Sequence, residues 1–282
     1  MLHQLQQCTG LQHLEVRGRI QHLSNKQQAI QALCDALKHL LSLTYLSALG
    51  CLADASSVTD SAFSEALATL TQLQHLHPAE NKLETAGMKK LGPALLAMPG
   101  LQTLNVSSNL YRQLENSKAL CAALLNAPGL THLDVSWNEL GAEEVAILAP
   151  ALRCTAKLQQ LQLQHNVLGD AGMVVIAPTL AQLPLFQRLK LSSNRLGAAA
   201  MAALQPVLAS QGGPLQTLNL SCNDLGKAAA AALAAALRSA SGLQGLNLMG
   251  TRLGPDEMAA LAPTIGNLAP TLRSLQLADN NA

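Results

Sequence analysis

Leu130–Gly141 reads LTHLDVSWNELG. Its apolar residues fall at Leu130, Leu133, Val135 and Leu140, with Asn138 between them, in the frame LxxLxLxxNxL. The frame returns downstream at Leu158, Leu161, Leu163, Asn166 and Leu168, then at Phe186, Leu189, Leu191, Asn194 and Leu196. Further copies run through Leu215–Leu225, Leu243–Leu253 and Leu272–Asn280, with Thr251 in the asparagine place of the second. Upstream the frame holds at Leu101–Asn109 and Leu73–Leu83, and it is ragged around Leu43, Leu46 and Cys51 and around Leu11, Leu14 and Val16. The asparagines at 81, 109, 138, 166, 194 and 223 lie 28 or 29 residues apart. A constant period of this length over most of a chain defines a solenoid.

Each repeat has two halves with different periods. The LxLx core alternates with period two and reads as a strand, with Leu133 and Val135 on one side and Thr/His/Asp/Ser side chains on the other. The second half, as in GAEEVAILAPALRC or GKAAAAALAAALRS, is rich in Ala and Leu and reads as a short helix with one apolar face, Leu148 and Leu152 or Leu233 and Leu237 lying four apart. The fold class is therefore α/β. Parallel strands line one face of a curved stack and helices the other; because helices are wider than strands, the strand face is the concave one.

Three columns have structural readings. A buried Asn amide carries donors and acceptors, so stacked Asn side chains can serve the main-chain groups left open at the turn after each strand. Cys51 and Thr251 stand in that column with fewer hydrogen-bonding groups, and looser turns are expected there. Pro93, Pro150, Pro178, Pro206 and Pro263 recur at one place in the helical half. Proline removes a helix hydrogen bond, so a kink or short break is expected at each, and a straighter helix where Ala235 stands instead. Gln12, Gln74, Gln102, Gln159, Gln187, Gln216 and Gln244 fill another column, which reads as a Gln ladder along the sheet edge or as plain repeat consensus.

The frame and its alternating period resemble the ribonuclease-inhibitor-like class of leucine-rich repeat proteins. Such repeats occur at the C-terminal ends of animal NOD-like receptors and in RanGAP, the activator of the Ran GTPase. The resemblance implies a horseshoe solenoid over residues 1–282 as one domain of about ten repeats, irregular over 1–70 and regular over 71–282. It also implies a protein partner on the concave face. A RanGAP-like regulator of a GTPase and an architectural subunit of a cytoskeletal or ciliary assembly are the alternatives. The first has little residue-level support: Arg17 and Arg19 lie at an early strand end, and the chain closes on LADNNA, without an acidic tail.

Composition narrows the classes further. The net charge is +1 and only 12% of residues are charged, with no basic stripe to neutralise phosphates, so nucleic acid is not an expected partner. No apolar run reaches the roughly 20 residues of a membrane span, and AAAAALAAAL at 228–237 reads as a buried amphipathic helix. The opening MLHQLQQCTG lacks the pattern of a secretory signal. The six cysteines have no paired spacing, and the sequons at Asn105 and Asn219 fall on the strand face. A reducing, cytoplasmic location is expected. Neither end reads as a polar cap, so a piece of a longer chain, or a member of a larger assembly, is expected.

No catalytic motif occurs, and no enzyme activity, cofactor or metal ion is expected. His75 and His77 share one strand, with His132 two repeats away, but a zinc site wants three or four ligands about 2 Å from one ion. They read as solvated surface histidines. The richest part of the strand face is His132, Asp134, Trp137, Gln162, His165, Arg188 and Lys190, which form the expected partner-binding site. Trp137 is the only tryptophan, and its column otherwise holds Gly18, Gly50, Glu80, Ser108, His165, Ser193, Cys222, Gly250 and Asp279. A core that needed an indole there would show other large residues, so Trp137 reads as an interface anchor. Tyr111, in the place of a core Leu, reads as structural.

Overall fold

In a computed structural model the repeats fold as the period predicts. The structure describes residues 2–17, 26–51, 57–81, 83, 85–109, 114–210 and 215–281. Gly18, Arg19 and Tyr111 lie outside these. The chain divides into two compact units, Met1–Asn138 and Glu139–Ala282.

The first unit alternates α1 (Leu2–Leu5), β1 (His13–Arg17), α2 (Lys26–Leu37), β2 (Tyr45–Leu49), α3 (Ser57–Ala68), β3 (His75–His77), α4 (Thr85–Leu96), β4 (Thr103–Asn105), α5 (Leu114–Leu124) and β5 (His132–Asp134). The second continues with α6 (Ala142–Cys154), β6 (Gln160–Gln162), α7 (Gly169–Leu180), β7 (Arg188–Lys190), α8 (Ala198–Ala203), α9 (Gln205–Leu208), β8 (Thr217–Asn219), α10 (Lys227–Leu237), β9 (Gly245–Asn247), α11 (Pro255–Asn267) and β10 (Ser274–Gln276). Within each unit the strands are parallel and ordered as in the sequence. Equivalent residues pair in register, for example Leu46 with Leu76 and Leu189 with Leu218. The ragged first copies make the longest strands: β1 and β2 pair over five residues, from His13 with Tyr45 to Arg17 with Leu49.

The period-two side of the strands and one face of the helices close the core. Leu46, Leu76 and Leu104 in the first unit and Leu161, Leu189, Leu218 and Leu246 in the second are buried, as are Leu148, Leu152, Leu233 and Leu237 from the helices. Each such side chain contributes about 1.5–3 kcal/mol relative to exposure. Cys34 belongs to this core, and burial pushes its thiol up to about 12.

The asparagine column works as the sequence implies. Asn109 Oδ1 accepts from the main-chain N–H of Asn81 (3.0 Å) and Leu83 (3.1 Å), and its Nδ2 donates to Pro78 O (2.8 Å). Asn223 repeats this in the second unit, accepting from Asn194 N (2.9 Å) and Leu196 N (3.1 Å) and donating to Leu191 O and Leu220 O. Cys51 puts its thiol against the carbonyls of Val16 and Leu49 at 3.2 and 3.4 Å. Thr251 is fully buried and donates to Leu248 O, while the Leu225 N–H turns to the Thr251 main-chain carbonyl at 3.0 Å. The turn stays closed, with a main-chain acceptor replacing the missing amide oxygen.

Two expectations need correcting. The ladder in the glutamine column is one of the main chain and not of glutamine side chains: the carbonyls of Gln12, Gln74, Gln102, Gln159, Gln187, Gln216 and Gln244, and that of Thr44 in the same column, each accept from two successive N–H groups of the following repeat. The prolines do not break every helix. Helices α4, α6, α7 and α11 run through Pro93, Pro150, Pro178 and Pro263, and only at Pro206 does the helix divide, into α8 and α9. All five prolines are exposed, so water can take the carbonyl that proline leaves open.

Candidate functional site

The exposed side of the strands is built differently in the two units. In the first, Tyr45 of β2 is the centre. Its ring stacks on His13 of β1 at 4.0 Å between centroids and 6° between planes, and it meets His77 of β3 edge-on at 5.0 Å. Its hydroxyl lies 3.2 Å from His77 Nδ1, and His75 Nδ1 lies 3.0 Å from Thr103 Oγ1. His13 and Arg17 both reach Glu15, at 3.4 Å each. His75 and His77 are therefore half-buried members of an aromatic cluster, not solvated surface residues. His77 Nε2 is buried without a hydrogen-bond partner, and burial, then the charge of His75, holds its pKa below the usual histidine range. Burial likewise pushes the Tyr45 hydroxyl up.

Three of the residues singled out from the sequence also lie in this unit. Asp134 Oδ1 accepts from the Ser136 main-chain N–H (2.9 Å) and hydroxyl (2.5 Å), which closes the end of β5. His132, two residues earlier on the same side, places Nδ1 2.8 Å from Thr131 Oγ1. Trp137 is 56% exposed and lies in the turn with φ 58°.

That dihedral explains its column. Gly50, Glu80, Ser108, His165, Ser193, Cys222, Gly250 and Asp279 also have positive φ. The chain enters the left-handed region at this point of each repeat to swing out of the strand, which costs a non-glycine residue roughly 1–2 kcal/mol. Glycine and small polar residues are the ordinary occupants. The glycines at 50 and 250 carried this signal in the sequence, and the composition of the column reports the turn as much as the absence of a core demand. A bulky indole is the outlier there.

The other four residues lie in the second unit. Lys190 Nζ donates to Gln162 Oε1 at 3.1 Å, and Gln164 Nε2 donates to the same oxygen at 3.2 Å, so Gln162 and Lys190 are brought together across β6 and β7. Arg188 is exposed on the same side of β7. His165 occupies the left-handed turn position, and burial holds its pKa below the usual range. The strands of this unit hold no carboxylate: they read QLQ, RLK, TLN, GLN and SLQ.

Sequence reading missed Tyr45 and His13. Both were legible as neighbours in one column, His13, Tyr45 and His75, since in-register parallel strands stack such residues. Among the described residues no group of three or more His, Cys, Asp or Glu side chains is placed to hold a metal ion. No helix among them is long and apolar enough to cross a membrane.

Comparison with known proteins gives the class. The family model described as Leucine Rich repeat matches residues 128–143, 156–177 and 214–234. The chain carries leucine-rich repeats, and its fold is the α/β solenoid of that class. The bovine (Bos taurus) NACHT, LRR and PYD domains-containing protein 5 is 29% identical over 132 residues, 46% of this chain and 12% of that protein. The match thus spans about an eighth of the relative's length. Among solved structures, the leucine-rich repeat-containing protein LegL7 of Legionella pneumophila superposes with a TM-score of 0.57 at 19% identity, covering 93% of this chain and 88% of that one. TLR13, solved in complex with ssRNA13, gives 0.54 at 18% identity over 98% of this chain and 37% of that one. Mouse RP105, solved with MD-1, gives 0.52 at 20% identity over 88% and 40%. At these identities the likeness is one of fold.

Proposed function

We propose that the protein is a non-catalytic interaction module that holds a protein partner against the exposed side of its strands. The observation that carries this reading is the contrast between two kinds of column. The buried ones repeat with little change, while the outward ones, His13, Tyr45, His75, Thr103 and His132 or Gln160, Arg188, Thr217, Gly245 and Ser274, differ at nearly every step. Nothing in the packing of the repeat calls for that variety, and recognition does. RP105 in its complex with MD-1 supplies a precedent for a protein partner on this fold.

The contact residues in this reading are His132, Asp134 and Trp137 in the first unit and Gln162, His165, Arg188 and Lys190 in the second. Exposed tryptophan and arginine are the residue types that dominate interface energies. The same reading makes the protein intracellular: Asn105 and Asn219, which would carry glycans in a secreted protein, lie on the proposed contact side.

Affinity capture with quantitative mass spectrometry tests the proposal. The bait is the wild type beside Trp137→Ala, Asp134→Ala and the pair Arg188→Ala with Lys190→Ala, each shown to fold by circular dichroism. A protein retained by the wild type and lost from the strand-side variants supports the reading. Partners that stay with all variants, and leave when helix-side residues such as Leu96 and Leu125 are changed, would sink it.

A further inference from the structure

The strand side of the second unit carries a recess of about 370 Å³. Gly245 of β9 lies in its floor, between Thr217 and Ser274 in register on either side. Asn219 and Asn247 line it, and Lys190 and Arg273 stand at its margins. We infer that this recess binds an acidic, extended peptide segment of a protein partner, with carboxylates seated toward Lys190 and Arg273; the inference rests on the interaction reading above and names the partner's chemistry.

The two asparagines of the recess are arranged to donate. The Asn219 Oδ1 accepts from the Ser221 main-chain N–H at 2.9 Å, and Asn247 Oδ1 accepts from Met249 N at 2.9 Å. A main-chain N–H can be met only by the amide oxygen, so each asparagine is left with its NH₂ outward. Lys190 leans on a neutral oxygen, that of Gln162. None of the ion pairs among the described residues uses Arg188, Lys190 or Arg273. No carboxylate lines the recess. The same column in the first unit holds Asn105, which accepts from Ser107 N at 2.9 Å in the same way, but also Glu15 and Asp134, two carboxylates that the second unit lacks there.

Spacing selects a chain molecule over a single anion. Lys190 on β7 and Arg273 beside β10 are three strand spacings apart, roughly 14 Å at about 4.8 Å per strand. A single anion would need both long side chains drawn to the centre, with Lys190 leaving Gln162, whereas separate carboxylates on one chain can meet each cation where it stands. An extended peptide, rising about 3.3 Å per residue, covers the distance in about four residues. A polynucleotide also presents separated charges, but its affinity depends on neutralising many phosphates, and this side has three cations.

Gly245 gives a clean test. A Cβ placed there would sit 3.4 Å from Thr217 Cγ2, an ordinary contact, so side chains are accommodated. Fluorescence anisotropy on the full chain is measured with a labelled peptide of alternating Glu and Ser, its Gln/Ser counterpart and a labelled oligouridylate. The Glu peptide is expected to bind more tightly than the Gln peptide, with affinity falling as salt is added. Gly245→Glu should weaken it roughly tenfold beyond the isosteric Gly245→Gln, and Lys190→Gln and Arg273→Gln should each weaken it several-fold. Equal affinity for the two peptides, or equal effects of the two Gly245 variants, overturns the inference. Tighter binding of oligouridylate, lost in the same variants, overturns it in favour of a polyphosphate ligand. In either case the interaction reading still stands or falls on partner capture by the Trp137 and Asp134 variants in the other unit.

Discussion

The two units share a skeleton and differ in what they hold outward. In Met1–Asn138 the strand side is a stack of rings, His13 on Tyr45 with His77 edge-on, flanked by Glu15 and Asp134. In Glu139–Ala282 it is a field of amides with Arg188, Lys190 and Arg273, and its strands hold no acid. Beneath both runs the same row of buried leucines and asparagines. The repeat thus keeps its inward alternates nearly constant, while its outward alternates vary and in the first unit pack on one another through Tyr45.

The largest effect should be blind to this difference. Asn109→Ala in the first unit and Asn223→Ala in the second each strand two main-chain N–H groups and several carbonyls. Each should cost about 3 kcal/mol in urea unfolding, since a buried polar group left unpaired costs about 1–3 kcal/mol. A loss under 1 kcal/mol in either would break the claim of a common skeleton. Next comes a change that only the first unit should feel. Tyr45→Ala removes the stack on His13 and the hydroxyl contact with His77, for about 1–2 kcal/mol, and Tyr45→Phe should recover most of it. Arg188→Ala, exposed in the second unit, should leave stability within about 0.5 kcal/mol.

A smaller effect isolates the turn. Trp137→Gly and Trp137→Ala both lose the indole, but only glycine relaxes the positive φ. The glycine variant should be the more stable by about 1 kcal/mol, and the reverse order would show that the turn carries no strain. The last prediction concerns pH. His77 is held neutral in the fold by burial and by His75, so its folded pKa lies below its unfolded value. Its contribution to stability is complete above the unfolded pKa of about 6.5 and is lost as pH falls toward the folded one. Urea midpoints between pH 7.5 and pH 5 should therefore fall, and His77→Gln should flatten that slope. The same slope in wild type and variant would place the acid sensitivity elsewhere.

What the sequence revealed follows the same division. The frame around Asn138 gives strands, helices, turn amides and parallel register, because each depends on residues near in sequence or one period away. Even the ragged copies at Leu14 and Leu46 paired over five residues, since their irregularity falls after the strands. The outward side was legible only in part. Asp134, Arg188 and Lys190 stood out as charges, but the Tyr45 cluster depends on rings from three strands meeting, and a column read position by position hides that. The recess at Gly245 was hidden for another reason: a missing side chain becomes a feature only between neighbours that have one. The uninterrupted proline helices reflect solvent exposure, which the repeat pattern alone does not assign to each turn.

The central claim is that partners meet the strand side. Hydroxyl-radical footprinting of the free chain and of its captured complex tests it most directly, because exposed reporters stand at a strand end and at the helices: Trp137 in the turn after β5, Leu96, Leu125 and Val174 in or next to helices. The account predicts that the partner protects Trp137 or the side chains around Arg188 and Lys190 while Leu96, Leu125 and Val174 keep their reactivity. Protection of those three, with Trp137, Arg188 and Lys190 unchanged, would contradict it.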